Sequence, residues 1–311
     1  MSPESPAMPS LPVISLTGAD ADLAPALADS FGRFGFAVIA DHGIDAALIA
    51  RAWALTEALF ALPEAEKRRW HQPGGGGARG YTPFGTEIAK DAPVHDLKEF
   101  WHVGREGAAG LAPNVWPEGL DGFRETFIRL YAAFDTVGAR LLSCLARALE
   151  LDPAWFDPVI ADGNSVLRLL HYPPIADAPA GAIRAGAHED INLITLLLGA
   201  EEAGLELLTR EGQWIAVTPP AGGLVVNIGD MLQRLTNHVL PSTTHRVRNP
   251  DSTRAGHSRY SMPFFLHPRS DFRIETLPGC ISADNPDRYP ESITADVYLQ
   301  QRLREIGLIG G

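Results

Sequence analysis

The sequence predicts a mainly β fold with flanking helices, built around a double-sheet barrel or jelly roll. Past about residue 163 the chain breaks into short β-rich runs at 165–172, 191–198, 204–209, 214–219, 223–230, 244–249 and 259–267. Gly, Pro, Asn or Asp punctuate most of them, as in folds of many short strands and unlike a parallel α/β sheet. Before them the apolar periodicity is mostly helical, and no repeat of solenoid length is present.

Taken in order, residues 1–10 are rich in Pro and Ser and read as a mobile tail. "LPVISL" (11–16) reads as a strand, 19–31 as a helix, and "FGFAVIADHG" (34–43) as a β run closed by a turn. Residues 44–61 are helical and stop before Pro63. "HQPGGGGARG" (71–80) is a loop, because its glycine run at 74–77 favours neither helix nor strand. Phe123, Phe127, Leu130, Phe134, Val137, Leu141, Leu145 and Leu149 recur every three or four positions, the stripe of a long core-facing helix that Pro153 ends. The expected organisation is a tail (1–10), a helical and β region packed on the core (11–162), the β core (163–293) and a C-terminal helix (294–311), all in one folding unit.

Composition narrows the function classes. Apolar residues make up 45% of the 311 and charged residues 21%, the balance of a soluble globular protein with a sizeable core. A formal net charge of −12 argues against a nucleic-acid partner, since binding phosphate needs clustered Lys and Arg. It leaves room for an anionic small molecule held by one well-placed Arg. Two cysteines, Cys144 and Cys280, cannot build a disulfide framework or a Cys-rich zinc site. No basic stretch followed by an apolar core marks the N-terminus, and no apolar run reaches the ~20 residues of a membrane span. The expected compartment is the cytoplasm, with no membrane partner; the sequence does not specify oligomeric state.

One stretch carries chemistry. "AGAHEDINLITLLL" (185–198) sets His188, Glu189 and Asp190 at the mouth of an apolar run, where an unpaired charge is costly. On an extended segment His188 and Asp190 share a face and Glu189 points away. Ten histidines in a chain with 38 acidic residues give about one such H-x-[DE] pair by chance, so a third ligand is needed. His245, 57 positions on, is the best candidate. Two His and one carboxylate with open positions is the donor set of non-haem Fe(II) oxygenases, whereas structural zinc takes four ligands. Fourteen positions further, Arg259 and Ser261 share a strand face, and a guanidinium fork beside a hydroxyl suits a carboxylate. Together they point to a dicarboxylate cosubstrate reaching from this clamp to the metal.

The same motifs, in order, resemble the isopenicillin N synthase-like family of Fe(II)/2-oxoglutarate-dependent dioxygenases. Besides "LPVISL" and "FGFAVIADHGI", the likeness includes "FALPEAEK" (60–67), "GYTPFG" (80–85), "LRLLHYPP" (167–174), "GLELL", "VVNIGDMLQRLTN" (225–237), "STTHRV" (242–247) and "RYSMPFF". The resemblance implies a double-stranded β-helix core and Fe(II) bound by His188, Asp190 and His245. It also implies that Arg259 and Ser261 bind the distal carboxylate of 2-oxoglutarate and that Tyr172 donates its hydroxyl to the cosubstrate. The implied reaction couples O₂-dependent decarboxylation of 2-oxoglutarate, to succinate and CO₂, with hydroxylation, desaturation or cyclisation of a small organic substrate. Leu170 departs from the Asn that many relatives carry there. The Arg-x-Ser pair also occurs in isopenicillin N synthase, an oxidase that needs no 2-oxoglutarate. That activity, and a non-catalytic binding module on the same barrel, stand as alternatives at this point.

The remaining polar residues have plainer readings. His42 satisfies a turn, Arg246 is an ion-pair partner, Glu189 faces solvent or an Arg, and His171 packs on the strand face opposite Tyr172. His71, His95, His238, His257 and His267 read as surface or loop histidines, and Asp230 as a turn or cap residue. "DLKEFWHVGRE" (96–106) reads equally as a plain edge strand or as a wall of the cavity mouth carrying Lys98, Phe100, Trp101, His102 and Arg105. Arg79, Tyr81 and Phe84 form either a lid or a packed loop, and Arg168 either a substrate contact or a salt bridge.

Overall fold

A computed structural model of the chain describes residues 10–73, 77–86, 96–108, 110–174, 184–199, 204–249 and 256–305. Almost all of the expected tail, most of the glycine run, His95 and the end of the C-terminal helix lie outside them.

The strands are β1 (Val13–Ser15), β2 (Phe36–Ala40), β3 (Gly80–Thr82), β4 (Glu99–Gly104), β5 (Val166–Tyr172), β6 (Ala185–His188) and β7 (Ile194–Leu198). They continue with β8 (Leu205–Leu208), β9 (Trp214–Ala216), β10 (Leu224–Ile228), β11 (His245–Val247), β12 (Arg259–Leu266), β13 (Arg273–Ile274) and β14 (Ile293–Thr294). The helices are α1 (Asp20–Phe34), α2 (Ala46–Phe60), α3 (Glu64–Lys67), α4 (Phe123–Ala148), α5 (Asp157–Ile160), α6 (Asp230–Leu235) and α7 (Ala295–Glu305).

Two sheets form the barrel. The larger has the order β1-β2-β10-β7-β12-β5-β4-β3, the smaller β6-β11-β8-β9, and β13 pairs with β14. From β5 to β12 the chain passes back and forth between them, so β5, β12, β7 and β10 face β6, β11, β8 and β9 in the jelly-roll arrangement. The N-terminal strands β1 to β4 extend the larger sheet at both ends.

Side-chain alternation divides the larger sheet into two faces. Ile194, Leu196, Leu198, Val226, Ile228, Met262, Phe264 and Leu266 enter the large apolar core, where they meet residues of α1, α2 and α4. Burying each such side chain is worth roughly 1.5–3 kcal/mol, and this face anchors the molecule. Every member of the predicted α4 stripe up to Leu145 is buried. The residues between them on the strands, including Thr195, Asn227, Arg259 and Ser261, turn into the barrel. There a second cluster, with Phe36, Val38, Leu205, Leu207, Ile215 and Val225, fills part of the space between the sheets.

The segment 96–106 is not an edge strand: β4 lies inside the sheet between β3 and β5. Nor is His267 a surface residue; following β12 directly, it is 9% exposed. No single helix among the described residues is long and apolar enough to cross a membrane.

Candidate active site

His188 ends β6 and His245 begins β11, and antiparallel pairing puts them directly opposite one another. Their ring centroids are 4.4 Å apart. Contrary to the expectation from alternation, Asp190 does not share a strand face with His188. Strand β6 stops at His188, and Asp190 lies in the turn that carries the chain from the smaller sheet into β7 of the larger. That turn still brings Asp190 Oδ1 to 3.8 Å from His188 Nε2 and 3.9 Å from His245 Nε2. One ligand atom from each residue lies within 4.8 Å of the others, so a single metal ion can be shared among them.

Each donor is aimed by a second contact. His188 Nδ1 donates to Gly186 O (2.7 Å) and His245 Nδ1 to Thr243 O (3.1 Å), leaving both Nε2 lone pairs toward the centre. A carbonyl only accepts, so these bonds fix the tautomers. Asp190 Oδ2 accepts from Thr195 Oγ1 (2.6 Å) and Asn227 Nδ2 (2.8 Å), which frees Oδ1 for the centre. Asp230, the first residue of α6, donates its backbone N–H to Asp190 O (2.7 Å). Thr195 and Asn227 escape the sequence reading, although a polar residue at an inward position of an apolar strand is a usable signal.

Electrostatics favour ligand forms. Burial, and then the neighbouring His245, pull His188 down to about 4 against the opposing pull of Asp190, so its imidazole is neutral near pH 7. Burial would raise Asp190, but His245, His188, Asn227 and Thr195 together hold it below the usual carboxylate value. A neutral imidazole at His188 and an ionised carboxylate at Asp190 are the states a divalent cation requires.

Further along the inner face, Arg259 pairs with Tyr172 across β12 and β5, and Ser261 pairs with Leu170. The Arg259 guanidinium stacks 5.3 Å from the Tyr172 ring. Its Nη2 donates to Gly199 O (3.2 Å), at a residue where φ is +85° and a Cβ would strike Trp53 and Tyr260 O. Arg259 is 1% exposed, yet its Nε and Nη1 have no hydrogen-bond partner. A buried guanidinium with two orphaned N–H groups suits a carboxylate, the group 2-oxoglutarate would present.

Other candidates separate by face. Trp101 and Tyr81 belong to the helix-side core, so neither lines the barrel. Phe100, Leu170 and Tyr172 form an inner apolar cluster. Lys98 pairs with Asp96 (2.8 Å), whose other oxygen accepts from Gly186 N (3.2 Å) beside His188. Arg79 bonds Ala78 O and Ala112 O as part of the packing, while Phe84 is exposed. Arg105 pairs with Asp135 and Arg246 with Glu206. His42 bonds Gly222 O and Ile44 N in its turn, and Glu189 accepts from Thr244 Oγ1.

His171 anchors a network that sequence reasoning does not find. Glu99 accepts hydrogen bonds from Lys67 Nζ (2.7 Å), His171 Nδ1 (2.7 Å) and the Tyr81 hydroxyl, all behind the inner face. Burial would raise the Glu99 carboxyl, but these three donors outweigh it and hold it low.

Comparison with known proteins gives this geometry its family. The model of the 2OG-Fe(II) oxygenase superfamily matches residues 163–268, and that of the non-haem dioxygenase N-terminal region ("in morphine synthesis") matches 11–119. The chain is 36% identical over 288 residues to the proline hydroxylase buaE of Petromyces alliaceus, covering 88% of this chain and 90% of that one. The chain belongs to the 2OG-Fe(II) oxygenase superfamily. A crystal structure of a family member from Caulobacter crescentus superposes with a TM-score of 0.88 at 52% identity, covering 96% of this oxygenase and all of the other. A full-length Neurospora crassa protein, solved in complex with alpha-KG, gives a TM-score of 0.85 at 30% identity, covering 94% and 95%. This oxygenase is a non-haem Fe(II) enzyme that uses 2-oxoglutarate and O₂ to oxidise a small organic substrate.

Proposed function

We propose that His188, Asp190 and His245 are the Fe(II) ligands, that Arg259 and Ser261 bind the distal carboxylate of 2-oxoglutarate, and that Tyr172 donates its hydroxyl to the same cosubstrate. The observation that carries the reading is the convergence of two inward-turned Nε2 atoms and one free carboxylate oxygen within 4.8 Å. Three protein ligands leave further coordination positions for cosubstrate and O₂. Fe(II) held there supplies O₂ activation coupled to decarboxylation of 2-oxoglutarate to succinate and CO₂.

The chain's own part is positioning and exclusion. Thr195 and Asn227 occupy one Asp190 oxygen and would leave the other for the cation, and the Gly186 and Thr243 carbonyls hold the imidazoles in register. Arg259 meets the cosubstrate as a fixed fork, which lowers the ordering cost of binding. Phe100, Leu170 and Tyr172 keep the inner wall apolar, so that water is displaced from the substrate's side. Leu170 replaces any amide contact to the cosubstrate with packing.

The test is an anaerobic titration of the Fe(II) protein with 2-oxoglutarate, followed by admission of O₂ with candidate substrates. A visible charge-transfer band and substrate-stimulated succinate are expected. L-proline and thymine are the first candidates, from the name of the Petromyces relative and from the thymine complex of the Neurospora protein. Failure of the band to appear would remove Arg259 and Ser261 from the assignment.

A further inference from the structure

We propose that Glu99, His171 and Ser258 form a positioning chain that aims Arg259 at the distal carboxylate of 2-oxoglutarate, an inference that rests on the assignment of Arg259 made above. Strands β5 and β12 carry two neighbouring cross-strand pairs, Arg259 with Tyr172 and Tyr260 with His171. Successive side chains point to opposite faces, so the first pair enters the barrel and the second lies behind it. Whatever fixes the outer pair also fixes the backbone from which the inner pair projects.

The outer pair is held from three directions. The His171 ring lies between Tyr260, stacked at 4.8 Å and 14°, and Phe60, at 5.3 Å and 30°. Its Nδ1 donates to Glu99 (2.7 Å), and Lys67 of α3 and Tyr81 of β3 donate to the same carboxylate. With that proton committed, Nε2 holds the Ser258 hydroxyl (2.9 Å). Ser258 directly precedes β12 and Arg259 is the first residue of the strand, so this bond ties down an end that would otherwise fray.

Arg259 has little else to set its aim. Its Nη2 donates to Gly199 O (3.2 Å) and its guanidinium stacks on Tyr172, while Nε and Nη1 have no partner. A fork that must meet a carboxylate through two parallel bonds tolerates little misplacement. The chain from Glu99 through His171 to Ser258 supplies the missing constraint through the backbone, without touching the cosubstrate.

The experiment compares 2-oxoglutarate with 2-oxovalerate, the same 2-oxo acid with a methyl group in place of the distal carboxylate. Each is titrated anaerobically into the Fe(II)-loaded protein, and its Kd is read from the charge-transfer band. The wild type should bind 2-oxoglutarate about 100-fold more tightly or better, since only that acid reaches the buried guanidinium. Ser258→Ala should weaken 2-oxoglutarate about tenfold, the scale of one hydrogen bond, and leave 2-oxovalerate within about twofold. His171→Phe, which keeps the ring stack and leaves Glu99 its Lys67 and Tyr81 donors, should do the same. Ser258→Thr, which keeps the hydroxyl, should recover most of the loss. In an Arg259→Met background, Ser258→Ala should change nothing further, because the two act as one unit. Equal weakening of both acids, undiminished 2-oxoglutarate binding in Ser258→Ala and His171→Phe, or a full Ser258→Ala effect without Arg259 would overturn the proposal. A wild type that binds both acids alike would overturn the Arg259 assignment itself, and the proposal with it.

Discussion

His188 and His245 face one another across the pairing of β6 with β11, each at the strand end nearest the turn that carries Asp190. The proposed iron-binding geometry is thus written into backbone register: slipping this pairing by one residue would send one imidazole out of the barrel. Removing either imidazole breaks the site directly. His188→Ala and His245→Ala should each abolish Fe(II)-dependent succinate formation and reduce Fe(II) binding, read by product assay and by metal titration.

On the proposed ligand assignment, Thr195 and Asn227 act on the metal through Asp190. Deleting one hydrogen bond to a ligating carboxylate typically costs 10–100-fold in metal affinity. Asn227→Leu should weaken Fe(II) binding by about that factor while leaving the three ligands in place. Competition against a calibrated chelator measures it.

Arg259 should make cosubstrate binding visible in stability. At 2-oxoglutarate concentrations of 100 Kd, binding to the folded state adds about 2.7 kcal/mol. The wild-type Tm, with metal present, should rise accordingly, and Arg259→Met should show no such rise. Arg259→Lys should recover little, because an ammonium cannot reproduce the two-pronged contact. Thermal melts with and without 2-oxoglutarate decide it.

Lys67 and Glu99 form a buried pair with side chains 7% and 6% exposed. Removing one partner of a buried pair typically costs about 3–5 kcal/mol, because the other charge is stranded. Lys67→Met should lose about that much in denaturant unfolding, and Lys67→Met combined with Glu99→Gln should lose less than the sum of the single variants.

His267 gives the acid limb of stability a definite sign. Burial lowers it from its ordinary 6.5 to about 4, so the unfolded chain takes up the proton first. Its contribution is complete above pH 6.5 and is lost as the pH falls toward 4. His188, lowered to about 4 in the metal-free protein, acts in the same direction. His267→Phe should therefore flatten, without abolishing, the fall of the metal-free protein's stability between pH 6.5 and 4. Urea midpoints measured across that range supply the slope.

Much of this is legible in one dimension. Strand positions from β5 to β12 follow from short apolar runs and their turns, and the inward pairing of Arg259 with Ser261 follows from alternation alone. The three metal-site residues are legible by type, but alternation gives the wrong reason for joining His188 and Asp190. A strand end and a turn, not a shared strand face, bring them together. Alternation cannot see where a strand stops. The Glu99 network is not legible because Lys67, Tyr81 and His171 come from α3, β3 and β5, and only tertiary packing joins them. His267 is misread because polarity is taken for exposure, when the strand before it is buried along most of its length.

The crossing from one sheet to the other at Asp190 has a consequence for maturation. His188 and His245 hang from one wall, and Asp190 is tied by Thr195 and Asn227 to the opposite wall, so neither wall alone carries all three donors. On the ligand assignment proposed above, the nest is complete only with both walls in place, so metal binding would report on assembly of the whole shell.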